Sequence, residues 1–192
     1  MSLVLDQYQR PINDLRISVI DRCNFRCPYC MPVSDYSLQH EFLKRQQWLD
    51  FDEIHRVAAA FVQLGVTKLR ITGGEPLLRP ELPKLIRQLK SIVGVDEIAM
   101  STNAILLSRH AQALRKAGLD RVTVSLDAVD SNAFLKMSGG QGQLDDVLDG
   151  IQSVHRAGFP AVKINMVVLR GQNEDQVMPL LEHFKSSGVT VR

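Results

Sequence analysis

Cysteine is scarce in this chain and confined to one place: three cysteines lie between Cys23 and Cys30, and none follows before Arg192. An odd, clustered set argues against a disulfide framework and directs attention to metal or redox chemistry. An excess of one charge is lacking too. With 23 basic and 21 acidic residues the formal net charge is +2, so no sequence-wide field points to nucleic acid or an anionic membrane. A local basic pocket is still allowed. Long apolar runs are missing: Val57–Val62 and Ile164–Leu169 fall far short of a bilayer span, and Met1–Arg10 lacks the apolar core of a signal peptide. These absences make a cytoplasmic protein with no membrane or nucleic-acid partner the expectation. At 192 residues and 45% hydrophobic, the chain suits a single domain spanning 1–192.

What is present is a repeated unit in which an amphipathic helix ends at glycine and a β-branched strand follows. The copies are Leu64-Gly65-Val66 before Lys68–Thr72, Ala117-Gly118-Leu119 before Arg121–Leu126, Ala157-Gly158-Phe159 before Val162–Val168, and Ser187-Gly188-Val189 before Thr190–Arg192. Glycine just past the last helical residue is the expected cap. Leu15–Ile20 and Glu97–Ser101 bring the strands to six, with helices near 51–64, 80–91, 108–117, 143–157 and 173–187. Strict alternation of strand and helix predicts parallel strands, as a doubly wound sheet or a (β/α) barrel.

Strand periodicity helps to choose between them. A parallel strand covered on both faces reads as nearly continuous apolar sequence, yet Thr123, Ser125 and Asp127 alternate with Val122, Val124 and Leu126. Arg16 with Ser18, Arg70 with Thr72, and Lys163 with Asn165 repeat the pattern on other strands. Cations inside strands are costly unless an anion or water meets them, so the recurrence favours a ligand-filled barrel lumen over solvent-facing or salt-bridged side chains.

Cys23-Asn24-Phe25-Arg26-Cys27-Pro28-Tyr29-Cys30 follows directly on the first strand, at the end where α/β folds place their active sites. Four thiolates saturate a 4Fe-4S cluster, whereas three leave one iron open to a chelating ligand. Two rivals exist. Cys27-Pro28-Tyr29-Cys30 is also a glutaredoxin-type dithiol, but that leaves Cys23 unexplained and the redox fold is much smaller. A structural zinc site needs a fourth ligand, for which His40 is the nearest candidate.

Cys-x3-Cys-x2-Cys after the first strand and Gly73-Gly74-Glu75-Pro76 after the second resemble the signature pair of radical S-adenosylmethionine (SAM) enzymes. The wider segments Asp14–Ser18, Asp21–Cys27, Met31-Pro32, Arg70–Leu77 and Ser125–Ala128 are similar to the GTP 3',8-cyclase branch of that family, over essentially the whole chain. The resemblance implies a partial (β/α)6 TIM-like barrel, cut at the start of the sixth strand. It implies that Cys23, Cys27 and Cys30 ligate one 4Fe-4S cluster and that SAM fills the free iron site, contacted by Tyr29 through its backbone, by Gly74 and by Ser125. GTP is the implied substrate, held by Arg16, Arg70, Ser101 and Lys163. The implied reaction is the first step of molybdenum cofactor synthesis: a 5'-deoxyadenosyl radical takes the 3' hydrogen of GTP, and the ribose carbon attacks C8 of guanine. No side chain is assigned a catalytic role, because the cofactor carries the chemistry. An electron donor such as flavodoxin or ferredoxin is implied, and a homodimer is left open.

This sequence also departs from the family. Members are longer and carry three further cysteines for a second 4Fe-4S cluster; no cysteine here can supply it, so a truncated form able to hold the first cluster but not to complete cyclisation is expected. Ala104 stands where glycine is usual, and Gly139–Gln143 where arginine is common, in what reads as a flexible surface turn. Other radical SAM chemistry on a peptide or small metabolite, and a non-catalytic remnant, are the alternatives. His55 and His155 read as helix-surface residues. Trp48 and Phe51, flanking the N-cap candidate Asp50, read as a hydrophobic staple. The segment 33–47 reads as a loop or short helix over the cluster.

Overall fold

A computed structural model describes residues 4–37 and 39–192; the first three residues of the Met1–Arg10 segment and Leu38 of the 33–47 segment lie outside the described residues. Six parallel strands form one sheet in the order of the chain. They are β1 (Asp14–Ser18), β2 (Lys68–Thr72), β3 (Glu97–Thr102), β4 (Arg121–Ser125), β5 (Val162–Asn165) and β6 (Val189–Val191). Between them run α1 (Phe51–Gln63), α2 (Leu82–Lys90), α3 (Leu107–Ala117), α4 (Ser131–Met137), α5 (Leu144–Arg156) and α6 (Val177–His183). Sequential order has no switch point of the doubly wound kind, so the sheet is a partial barrel. Among the described residues, β1 and β6 are its unpaired edges.

Register explains the alternation read from the sequence. Arg16 pairs with Arg70, Ser18 with Thr72, Ser101 with Thr123, Thr123 with Lys163, and Ser125 with Asn165, so the polar residues share one face. The opposite face carries Leu69, Ile71, Ile98, Met100, Val122, Val124 and Ile164, all at 0–1% exposure beneath the helices. Burial of each such side chain contributes about 1.5–3 kcal/mol. Gly65, Gly118, Gly158 and Gly188, the four expected caps, all take positive φ.

The elements differ from the sequence reading in a few places. Strand β1 ends at Ser18 rather than Ile20, because the chain turns into the cysteine loop after Val19, whose N–H still bonds Thr72 O at 2.9 Å. Strand β5 stops at Asn165, and Val167 N–H donates instead to the Asp127 carboxylate at 2.8 Å. Helix α4 is an addition to the βα alternation, started by Asp130, whose carboxylate caps the N–H groups of Asn132 and Ala133. The last helix divides into a 3-10 turn, Glu174–Gln176, and α6. Asp50 does cap α1, in a reciprocal box with Glu53 at 2.7 and 2.8 Å. Trp48 and Phe51 both pack against the core, and their rings stand 4.8 and 5.1 Å from the Arg79 guanidinium.

Candidate functional site

The C-terminal ends of the strands open into a cavity of about 270 Å³ bordered by Cys23, Cys27, Cys30, Tyr29, Gly74, Ser101, Ser125 and Arg16. Eight of the ten residues singled out in the sequence thus meet in one place. Arg70 and Lys163 do not border it. Arg70 lies on the lumen face but its Nε donates to Asp14 Oδ1 at 2.7 Å, and both side chains are nearly half exposed. Lys163 is half-buried, level with Thr123 on β4.

The cysteine loop rests on the Gly-Gly-Glu-Pro turn by main-chain contact. Gly74 N–H donates to Ile20 O at 2.7 Å and Glu75 N–H to Arg22 O at 2.8 Å. A Cβ on Gly74 would stand 2.2 Å from Arg22 O, so glycine is required here by the loop's own backbone, quite apart from any ligand. Gly139 acts from the other side. Arg26 N–H donates to Ser138 O at 3.0 Å, and a Cβ on Gly139, at φ +69°, would meet Arg26 O at 2.1 Å. The 139–143 segment is thus anchored on the cysteine loop at Gly139 and Gly142, while residues 140–143 are exposed as a surface turn would be.

Side chains missed by the sequence reading tie the motifs together. Glu75 is 1% exposed. Its carboxylate accepts from Thr102 Oγ1 at 2.7 Å, Asn103 N at 2.8 Å and Leu77 N at 3.0 Å. Asn103 Nδ2 in turn donates to Asn24 Oδ1 at 2.7 Å and lies 3.9 Å from Cys23 Sγ. On the far wall, Tyr29 Oη donates to Asp127 Oδ2, and fully buried Asn173 donates to Asp127 O and Val167 O at 2.8 and 2.9 Å. Beside Asn103, Ala104 takes φ +67°, a left-handed conformation costing a residue with a Cβ about 1–2 kcal/mol. Glycine, usual at this position in the family it resembles, avoids that cost.

Burial pushes the Cys27 thiol up to about 12, with further repulsion from Asp127 and the neighbouring sulfurs. Burial raises Cys23 as well. Burial thus favours the protonated thiols, and a metal centre must displace those protons to gain thiolates. Burial also holds Glu75, Asp127 and Tyr29 above their ordinary values. Among the described residues, no three His, Cys, Asp or Glu side chains converge tightly enough for a single-ion site. The donor set does fit an iron-sulfur cluster: three soft thiols border one cavity, and Phe25 N–H lies 3.4 Å from Cys23 Sγ, a hydrogen bond of the kind that tunes such centres.

The radical SAM superfamily profile matches residues 17–184. Among curated proteins, the chain is 53% identical over 191 residues to GTP 3',8-cyclase of Xanthomonas campestris pv. campestris (strain B100), covering 97% of this chain and 55% of that protein. It is 47% identical over 189 residues to the GTP 3',8-cyclase of Staphylococcus saprophyticus, covering 98% of this chain and 55% of the relative. The chain therefore spans about half the length of the curated relatives it matches. Among solved structures, Streptococcus suis SuiB bound to S-adenosylmethionine superposes with a TM-score of 0.73 at 18% identity, over 93% of this chain and 40% of that one. Methylornithine synthase (PylB) gives 0.70 at 15% identity, over 93% and 52%. Both show the same partial-barrel fold.

Proposed function

Since this chain belongs to the radical SAM superfamily, we propose that it is the cluster- and nucleotide-binding core of a GTP 3',8-cyclase, acting in the first step of molybdenum cofactor synthesis. The observation that carries this reading is the meeting of Cys23, Cys27, Cys30, Gly74, Ser125, Arg16 and Ser101 around one cavity, in a chain about half identical to proteins so named. Residues 1–192 form one core domain in this reading.

Cys23, Cys27 and Cys30 would hold one 4Fe-4S cluster, three thiolates being one short of saturating it and so leaving a place for SAM. Cluster and SAM, when bound there, would supply the radical chemistry that the cyclisation of GTP requires. The chain's own groups bind and orient. Tyr29 contributes its backbone beside the cluster while its hydroxyl donates to Asp127 at the cavity wall. Gly74 presents main chain where no side chain fits, and Ser125 offers a hydroxyl at the end of β4. Arg16, whose Nη2 already donates to Thr72 Oγ1 at 3.2 Å, aims a guanidinium along the cavity floor toward a phosphate. Ser101 borders the same cavity, while Arg70 on β2 and Lys163 on β5 lie outside it and, in this reading, meet the outer part of the triphosphate. Neither buried carboxylate is free to act as a base, because Glu75 and Asp127 are committed to donors. The electron comes from a flavodoxin- or ferredoxin-type donor.

Anaerobic reconstitution with iron and sulfide, then reduction with SAM present, tests the reading. Formation of 5'-deoxyadenosine together with GTP binding supports it. Cleavage of SAM with no affinity for GTP would instead favour a radical SAM enzyme acting on a peptide or other metabolite, and no cleavage at all would favour a non-catalytic remnant.

A further inference from the structure

The excursion from Ile20 to Trp48 carries all three cysteines, yet within it the described residues form only one short regular element, a 3-10 turn at Arg45–Gln47. A connection this long needs external ties to hold one conformation. Its tip is held by the Gly-Gly-Glu-Pro turn, by Ser138 and by Asp127. Its neck is held by a residue from elsewhere. Arg79, just past that same turn, donates from Nη1 to Val19 O at 3.3 Å and from Nη2 to Leu49 O at 2.7 Å. These carbonyls belong to the residues on either side of the excursion, and both residues border one small cavity with Asp21, Leu43 and Ile54.

Arg79 is buried, at 9% exposure, and makes no ion pair within 4 Å among the described residues. Its charge is met by two carbonyl dipoles, by the rings of Trp48 and Phe51 at 4.8 and 5.1 Å, and at longer range by the Asp50 carboxylate, against repulsion from Arg45. A planar fork can stack between two rings while reaching two separate acceptors. A lysine ammonium has no such plane.

We propose that Arg79 is a positioning residue that clasps the neck of the cysteine loop, fixing where the loop leaves and rejoins the barrel and so how firmly it holds a cluster. The link to the cluster rests on the reading of Cys23, Cys27 and Cys30 as ligands; the clasp itself does not. Breaking it opens the loop locally without unfolding the sheet, and lysine does not substitute for arginine.

The test compares the 192-residue protein with Arg79→Lys and Arg79→Met by hydrogen exchange without metal, then by the rate of iron loss to a chelator after reconstitution. Amide exchange across 20–48 should quicken by about tenfold in both variants, the equivalent of one lost charge-assisted hydrogen bond, while β3 and α5 keep their protection. Iron release should quicken with it. Unchanged exchange across 20–48, full rescue by lysine, or equal loosening of loop and sheet overturns the proposal. Should the Arg79 variants not fold, Trp48→Leu removes one face of the clasp and leaves the charge, and the same localised opening is expected or its absence counts against us. If the parent takes up no cluster, the ligand reading fails, and the metal-free exchange data still decide the clasp.

Discussion

The Tyr29 hydroxyl donates to the Asp127 carboxylate, so the turn between Cys27 and Cys30 is fastened to the end of the fourth strand across 98 residues of sequence. The same carboxylate accepts from Val167 N–H at 2.8 Å, which brings the end of the fifth strand into the tie. Tyr29→Phe should cost about 1 kcal/mol, and Asp127→Ala about 1–3 kcal/mol because it strands two donors. The double variant should cost less than the sum, as measured by urea unfolding of the metal-free protein.

Glu75 gives a pH signature. Burial raises its folded pKa above the unfolded value near 4.5, so its contribution to stability is full below that value and is lost as pH rises through the folded pKa. Glu75→Gln should cost about 1 kcal/mol at neutral pH, since the new amide faces Asn103 N–H. The gap between parent and variant should widen as pH is lowered toward 4.5, read from denaturant midpoints across pH.

Gly74→Ala and Gly139→Ala each place a Cβ within 2.2 Å of the cysteine loop's backbone. Both should cost about 2 kcal/mol or more and lower cluster content, because backbone cannot move aside as a flexible side chain can. Gly140→Ala is the control: its φ of +76° is close to the +69° of Gly139 but it faces open space, and it should cost only about 1 kcal/mol with cluster content intact.

Arg16 and Arg70 are register partners with different company. Arg16→Ala should weaken GTP binding by about tenfold, while Arg70→Ala, already engaged by Asp14 at 2.7 Å, should cost less. Calorimetric titration of the cluster-loaded protein under anaerobic conditions measures both.

Much of this was legible in the sequence, for identifiable reasons. Thr123, Ser125 and Asp127 alternate with valine and leucine because one face of the strand meets the lumen and the other the helices, and a period of two survives in the residues. The cysteines are legible because thiols in a polar loop have few other uses. Glu75 and Arg79 were not legible as buried residues. A carboxylate or guanidinium beside a turn reads as a charge facing solvent, and their partners, Asn103, Val19 and Leu49, stand 28, 60 and 30 residues away. Gly74 was noticed for a different reason, the approach of a ligand, whereas the structure also shows loop main chain above it. Helix α4 spans only the seven residues Ser131–Met137, too few for a helical period to show in the sequence.

The account turns on three thiols holding a cluster with one iron left open. Anaerobically reconstituted protein should contain about four irons per chain, and adding SAM should change the electron paramagnetic resonance signal of the reduced cluster. A protein that binds no iron, or one whose iron and spectrum survive replacement of Cys23, Cys27 and Cys30 by serine, would contradict it.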